Sequence, residues 1–123
     1  MTLAKWMRNF VASHPDYKKD SRVSDSTFSD NSGGGISSSV GRLSVTNSLF
    51  RENTADDAAG IDVFQNFGAT VTGSTFEGNQ ATSAGGAIRV RETGSLTITG
   101  STFNGNGANI GGSVYFLKTG VAV

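Results

Sequence analysis

A short unit recurs four times in this chain, at intervals of 22 to 27 residues. The stretch STFEGNQATSAGGAI at 74–88 returns as STFNGNGANIGGSV at 101–114, and looser copies precede it at 26–36 and 48–61. Each copy opens on an F-x-x-N pair and closes on small residues followed by Ile or Val. The stretches between alternate apolar and polar residues, as strands do. A repeat of this length without helical periodicity is typical of the coils of a parallel β-solenoid.

Equivalent residues of successive coils are expected to stack into columns, because neighbouring strands lie about 4.8 Å apart. The alignment predicts a buried aromatic column of Phe28, Phe50, Phe76 and Phe103. It predicts an amide column, bonded from coil to coil in left-handed turn positions, of Asn31, Asn53, Asn79 and Asn106. It also predicts an aliphatic column of Val45, Val71 and Ile98, opened by Val23. We therefore expect an all-β fold, a short parallel β-helix of about four coils over residues 23–123.

Glycine pairs mark one corner of the coil. Gly33–Gly34, Gly85–Gly86 and Gly111–Gly112 precede the closing apolar residue, and Ala58–Ala59 takes their place in the second coil. Because glycine lacks a Cβ, such a pair allows a tight corner in which one backbone approaches another.

Residues 1–22 differ in character from the repeats. Leu3, Trp6, Met7, Phe10 and Val11 have helical spacing, which predicts an amphipathic helix over residues 2–13, ended by Pro15 and a polar connector. We place the organisational boundary between 1–22 and 23–123. The side chains expected to cover the exposed end of the first coil are Leu3, Trp6, Met7 and Phe10.

Composition limits the possible functions. The chain has 123 residues, no cysteine and a formal net charge of zero, so neither disulfides nor a basic nucleic-acid surface is expected. Its sequence shows no apolar run long enough to span a membrane and no secretory signal pattern.

Candidate chemical sites are sparse. His14 is the only histidine and has no obvious partner. Asp56, Asp57 and Asp62 could form a calcium or acid–base cluster, but the alignment stacks Asp62 on Arg89, which predicts a structural ion pair. The glycine-rich stretch at 31–39 is not followed by the Lys-Ser or Lys-Thr pair of a phosphate loop, and no helix is predicted to begin there. The sequence therefore predicts no catalytic, cofactor-binding or metal-binding residue.

Outward hydroxyl residues offer a different possibility. Three rows are predicted to stack on one face, namely Ser44/Thr46, Thr70/Thr72 and Thr97/Thr99. Flat threonine rows resemble the surfaces of ice-binding β-helices. The preferred interpretation is that outward threonine is simply a good strand residue.

The paired markers F-x-x-N and G-G-A-[ILV] resemble the repeats of polymorphic outer-membrane proteins and related pectin-lyase-like right-handed β-helices. FEGNQATSAGGAI matches that pattern in full, whereas FRENTADDAAGI lacks the glycine pair. The resemblance covers residues 23–123. It implies a right-handed solenoid, an adhesin-like role and a location at the cell surface or outside the cell.

A second resemblance covers residues 2–21. TLAKWMRNFVASHPDYKKDS is similar to a stretch near the C-terminus of eukaryotic glutamate–cysteine ligase, through Trp6, His14, Pro15, Asp16 and Tyr17. That family condenses glutamate and cysteine with ATP and magnesium, in the cytoplasm, using residues of a region upstream of this stretch. No catalytic residue is carried onto this chain, which is interpreted as a fragment or a chimeric gene product.

These observations favour a non-catalytic β-helix module with an adhesin-like structural or binding role. The alternatives are a ligase fragment that is inactive on its own, a glycan-active β-helix and an ice-binding surface. The partner is left open between further β-helix coils, a protein and a glycan, and the compartment is left open as well.

Overall fold

The computed structural model describes residues 10–13, for which only the backbone is described, together with 20–39 and 41–117. The described chain winds as a solenoid whose strands fall into three long parallel sheets and one short one. Sheet A contains β1 (Phe10–Ser13), β4 (Ile36–Ser39), β8 (Ile61–Phe64), β12 (Ile88–Arg91) and β15 (Val114–Leu117).

Sheet B contains β2 (Asp20–Ser24), β5 (Arg42–Thr46), β9 (Gly68–Thr72) and β13 (Leu96–Thr99). Sheet C contains β3 (Thr27–Ser29), β6 (Leu49–Arg51), β10 (Thr75–Glu77) and β14 (Thr102–Asn104). The short sheet pairs β7 (Thr54–Ala55) with β11 (Gln80–Ala81).

The strands pair in the register that the repeat alignment predicts. In sheet B the aliphatic column runs through Val23, Val45, Val71 and Ile98. In sheet A the closing residues stack as Ile36, Ile61, Ile88 and Val114. These columns point into the solenoid, where they form one buried core with the phenylalanines. The predicted parallel solenoid of about four coils is therefore confirmed.

Each corner between sheets B and C is made by one residue in a left-handed conformation. These residues are Asp25, Asn47, Gly73 and Gly100, whose φ angles lie between 48° and 59°. The next corner, after sheet C, uses Asp30, Glu52, Gly78 and Gly105, with φ between 52° and 68°. The asparagine column was predicted to occupy left-handed positions, and this was wrong. The left-handed residue instead directly precedes each asparagine. The turn of the backbone at that residue directs the asparagine side chain into the solenoid.

Glycine allows the close backbone approach that was predicted at the pairs. A Cβ placed on Gly86 would lie 2.6 Å from the backbone nitrogen of Gly107. The second coil tolerates Ala58 and Ala59 because neither has a positive φ, and both are buried. The corner therefore requires small residues in every coil, and glycine only where φ or space demands it.

The amphipathic helix predicted over residues 2–13 is not confirmed. Its last four residues form β1, which pairs in parallel with β4, and the described residues contain no helix. The outer edge of β4 would otherwise present unpaired backbone groups, and pairing with β1 satisfies them. Residues 2–9, with Leu3, Trp6 and Met7, lie outside the described residues. No helix long and apolar enough to cross a membrane is found in the part of the chain that the structure describes.

The two ends of the solenoid differ in exposure. In the first coil Val23 and Phe28 are only 5% and 0% exposed. In the last coil Ile110 and Phe116 are 56% and 42% exposed. The inward side chains are therefore covered at the first coil and partly open at the last.

Candidate functional site

The phenylalanine column is a continuous stack of parallel rings. The centroids of Phe28 and Phe50 lie 5.0 Å apart, those of Phe50 and Phe76 4.7 Å, and those of Phe76 and Phe103 4.8 Å. The ring planes are within 5° of one another. This spacing is the separation of neighbouring strands, so the sheet geometry sets the stack.

The asparagine column binds each coil to the next through buried amides. The Asn53 side chain donates to the Phe28 carbonyl at 3.0 Å and to Asn79 Oδ1 at 2.9 Å, and Asn79 Oδ1 also accepts from the Asn53 backbone N–H. The same pattern repeats one coil later between Asn79 and Asn106. The backbone pairs from coil to coil on both sides of each asparagine, and the side-chain oxygens accept the asparagine N–H groups that lie between those backbone bonds.

A serine column at the other corner was not identified from the sequence. Ser48, Ser74 and Ser101 each accept a hydrogen bond at Oγ from the backbone N–H of the serine one coil earlier. Each hydroxyl donates to the carbonyl two residues before it. The signal was present, because a serine stands two residues before every aligned phenylalanine.

The acidic residues that could have formed a metal or acid–base site are held by Arg89. The Arg89 guanidinium donates to both carboxylate oxygens of Asp62, at 3.0 and 2.8 Å, and to Asp57 at 3.0 Å. Burial lowers the pKa of Arg89, but the hydrogen bonds and charges of Asp62 and Asp57 outweigh it and raise that pKa above its ordinary value. The predicted Asp62–Arg89 pair is therefore confirmed, and Asp57 joins it as a third member.

No group of three or more His, Asp or Glu side chains that could share a metal ion occurs within the described ranges. Asp56 is exposed and lies at the edge of a shallow polar groove beside Thr54 and Thr82. His14 lies outside the described residues. Asp57 and Asp62 are therefore engaged in a partly buried cluster of ion pairs with Arg89 and are not free carboxylates.

The outward hydroxyl rows of sheet B stack as the sequence predicts. Ser44, Thr70 and Thr97 are register partners, and so are Thr46, Thr72 and Thr99. Their side chains are half-buried or exposed. They form a polar strip along the length of the solenoid.

A groove of about 410 Å³ lies beside this strip at the start of the sheet B strands. Its polar lining includes Asp20, Arg22, Arg42, Thr70 and Ser95. Both arginines are exposed, and neither has an ion-pair or ring partner among the described residues.

The other described arginines are engaged. Arg51 lies 3.6 Å from Glu77, Arg89 is held by two aspartates, and Arg91 lies over the Phe64 ring at 4.8 Å. The groove is therefore the place where two uncommitted positive charges and a row of hydroxyls share a concave surface. Sequence analysis missed it, because Arg22 and Arg42 are not equivalent positions of the repeat.

Comparison with known proteins identifies the repeats. Residues 15–103 match the family described as "Right handed beta helix region". This match covers well over half of the chain. No solved structure matches the chain significantly.

A separate match concerns a much shorter stretch. Over 25 residues the chain is 64% identical to the glutamate–cysteine ligase catalytic subunits of Rattus norvegicus, Homo sapiens and Mus musculus. These residues are 20% of this chain and 4% of each ligase subunit. The predicted resemblance to the ligase is thus confirmed as a short match, and the chain spans only a small fraction of these curated relatives.

Proposed function

Because this chain belongs to the right-handed β-helix family, we propose that it acts as a non-catalytic structural module with an adhesin-like binding role. The single observation that carries the binding role is the groove of Arg22 and Arg42. An exposed arginine without an ion-pair partner has five N–H groups that can donate to a ligand. Two such arginines at one groove favour an anionic ligand.

The ligand class that we propose is an acidic glycan. Guanidinium groups form paired hydrogen bonds with carboxylate or sulfate groups. Ser95 and Thr70 line the same groove and offer hydroxyls to sugar hydroxyl groups, while the Asp20 carboxylate offers an acceptor. The hydroxyl strip of sheet B continues from the groove, so an extended chain has polar contacts along several coils.

A non-catalytic role is favoured by the state of the carboxylates. Cleavage of a glycosidic bond commonly uses two carboxyl groups that flank the bond. Of the three acidic residues that the sequence brings together, Asp57 and Asp62 bind Arg89, which leaves Asp56 as a single carboxylate without an ion-pair partner among the described residues. We therefore propose binding without turnover.

Binding to immobilised acidic and neutral oligosaccharides tests this role. The double variant Arg22→Ser/Arg42→Ser is expected to lose binding to sulfated or uronic-acid oligosaccharides by at least about tenfold, which corresponds to about 1.4 kcal/mol. Arg51→Ser is the matched control, since Arg51 is also exposed but pairs with Glu77. Equal binding by the double variant and the control, or equal binding of neutral and acidic sugars, would refute the role of the groove.

We further propose that Leu3, Trp6 and Met7, the apolar face of the predicted N-terminal helix, cover the first coil together with Phe10. The burial of Val23 and Phe28 supports a cover at this end. The backbone of β1 supports it as well, since it already pairs with the outer edge of β4.

The ligase-like stretch supports a second interpretation of the chain as a ligase fragment. The 64% identity over 25 residues favours a shared origin for that stretch. Because it corresponds to 4% of the ligase subunit, we propose that the fragment has no ligase activity on its own. Assay of the purified chain for ATP-dependent joining of glutamate and cysteine tests this.

A further inference from the structure

The last coil differs from the others in charge as well as in exposure. Residues 93–117 contain no Asp, Glu, Lys or Arg, whereas every earlier coil carries several. Edge strands of soluble proteins commonly carry charged side chains that discourage pairing with another chain. The outermost strands of this coil, β13, β14 and β15, therefore lack that protection.

These strands also have open edges. Each is the terminal strand of its sheet among the described residues. The backbone N–H groups of Ser74 and Asn79 donate to Ser101 Oγ and Asn106 Oδ1 in the next coil. Among the described residues no further coil supplies such acceptors to the backbone N–H groups of Ser101 and Asn106. Beside them Ile110 and Phe116 present exposed apolar side chains, and Phe103 is only partly buried.

From this we infer that the last coil is a self-association surface whose partner is the same coil of a second copy. Because the described residues of this end are uncharged, they meet their counterparts in a second copy without like-charge repulsion among them and without the desolvation of charged groups among them. The apolar side chains of two copies would cover each other, and the open edges would supply each other's hydrogen-bond partners. The described residues of this surface offer no charged group that could form an ion pair with a charged partner.

The symmetry of the assembly follows from the difference between the two ends. The inward side chains of the first coil are already covered, as Val23 and Phe28 show. Strands β2 and β3 are also terminal in their sheets among the described residues, so both ends have open edges, but the exposed apolar side chains of the two ends lie at the last coil. An interface that joins the last coil to the same coil of a second copy closes as a two-fold dimer, whereas a contact between the last coil and the first coil would continue as a filament. In such a dimer the solenoids meet end to end and the facing strands run antiparallel, a pairing that β-strands form readily.

Sedimentation of the full chain over a range of concentrations tests this inference. We expect a monomer–dimer equilibrium without larger species, and no weakening of the dimer as salt is raised, because the described residues of this surface carry no charge. Ile110→Lys places a charge at the proposed interface at a side chain that is already 56% exposed, so folding is expected to persist. This variant should lose the dimer at concentrations where the natural chain is dimeric.

Phe67→Lys is the matched control, because Phe67 is 52% exposed at a corner in the middle of the solenoid, away from the last coil. Circular dichroism of both variants checks that the β signal is unchanged. A natural chain that stays monomeric at high concentration would overturn the inference, as would filaments in place of a dimer. Equal loss of the dimer in Phe67→Lys and Ile110→Lys would also overturn it. The acidic-glycan assay is independent, since its groove lies on sheet B and not at the last coil.

Discussion

Asn79→Asp separates hydrogen bonding from packing in the asparagine column. Asn79 is 0% exposed, and its amide donates to the Phe50 carbonyl at 3.0 Å and to Asn106 Oδ1 at 2.8 Å. Aspartate has the same shape and still accepts from Asn53, but an ionised carboxylate donates nothing. The variant therefore removes two donated hydrogen bonds without creating a cavity.

The expected cost follows from these contacts. Two lost hydrogen bonds cost about 1 kcal/mol each, and a buried charge without a cationic partner adds several kcal/mol more. Asn106 could turn its amide toward the new carboxylate, but it would then lose its bond to the Phe76 carbonyl at 3.0 Å. We expect a loss of at least about 3 kcal/mol, a large part of the roughly 5–15 kcal/mol that stabilises a typical domain.

Urea unfolding, followed by circular dichroism at a series of pH values, measures this loss. Burial raises the pKa of a carboxyl group above about 4, its value in an unfolded chain. The protonated acid is neutral and regains one donor, so the destabilisation is smallest below about pH 4 and grows as pH rises through the folded pKa.

Asn104→Asp provides the control. Asn104 is exposed on β14, so the same change should cost less than about 0.5 kcal/mol. Equal unfolding free energies of the two variants at neutral pH would show that the amide column does not hold the coils together.

Three other perturbations have clear expected outcomes. Deleting residues 1–21 should lower the melting temperature and raise light scattering, and Trp6→Ser should do so in part; a truncated chain with unchanged melting temperature and light scattering would show that this segment is not a cover. Arg89→Met should cost about 3–5 kcal/mol in urea unfolding, because it leaves Asp62 partly buried without a partner, whereas Asp57→Ser should cost less than about 1 kcal/mol because Asp57 is 60% exposed. A small loss in Arg89→Met would contradict the ion-pair argument. The purified chain should show no ATP-dependent joining of glutamate and cysteine, and turnover abolished by a substitution within this chain would contradict the proposed lack of activity.

The parts of the fold that repeat could be predicted from the sequence. Aligning the F-x-x-N pairs is enough to place Phe50 on Phe76 and Asn53 on Asn79, because parallel pairing in register transfers sequence equivalence directly into contact. The serine column obeys the same logic and was missed only because its members were not tested as a column. Repetition is thus the information that made the core predictable.

The parts that do not repeat could not be predicted in this way. Strand β1 forms because the edge of β4 is open, which is a property of the assembled sheet and not of the residues of β1. Asp57 reaches Arg89 from a corner loop, 32 residues away in sequence. The groove of Arg22 and Arg42 depends on which arginines remain without partners after folding. Each of these features is set by tertiary contacts between inequivalent positions.

The uneven length of the coils has a consequence for how a solenoid of this kind can gain coils during evolution. The asparagines that stack are 22, 26 and 27 residues apart, yet the strands on both sides remain in register. Much of the difference falls in one loop, since Asn31 lies five residues before Ile36 whereas Asn79 lies nine before Ile88. That loop absorbs insertions and deletions while the corners around it stay fixed. A gene segment that encodes one coil could therefore be duplicated in tandem, and the added copy would find a complementary surface on both of its neighbours. The close similarity of 74–88 and 101–114 is what a duplication of this kind would leave behind.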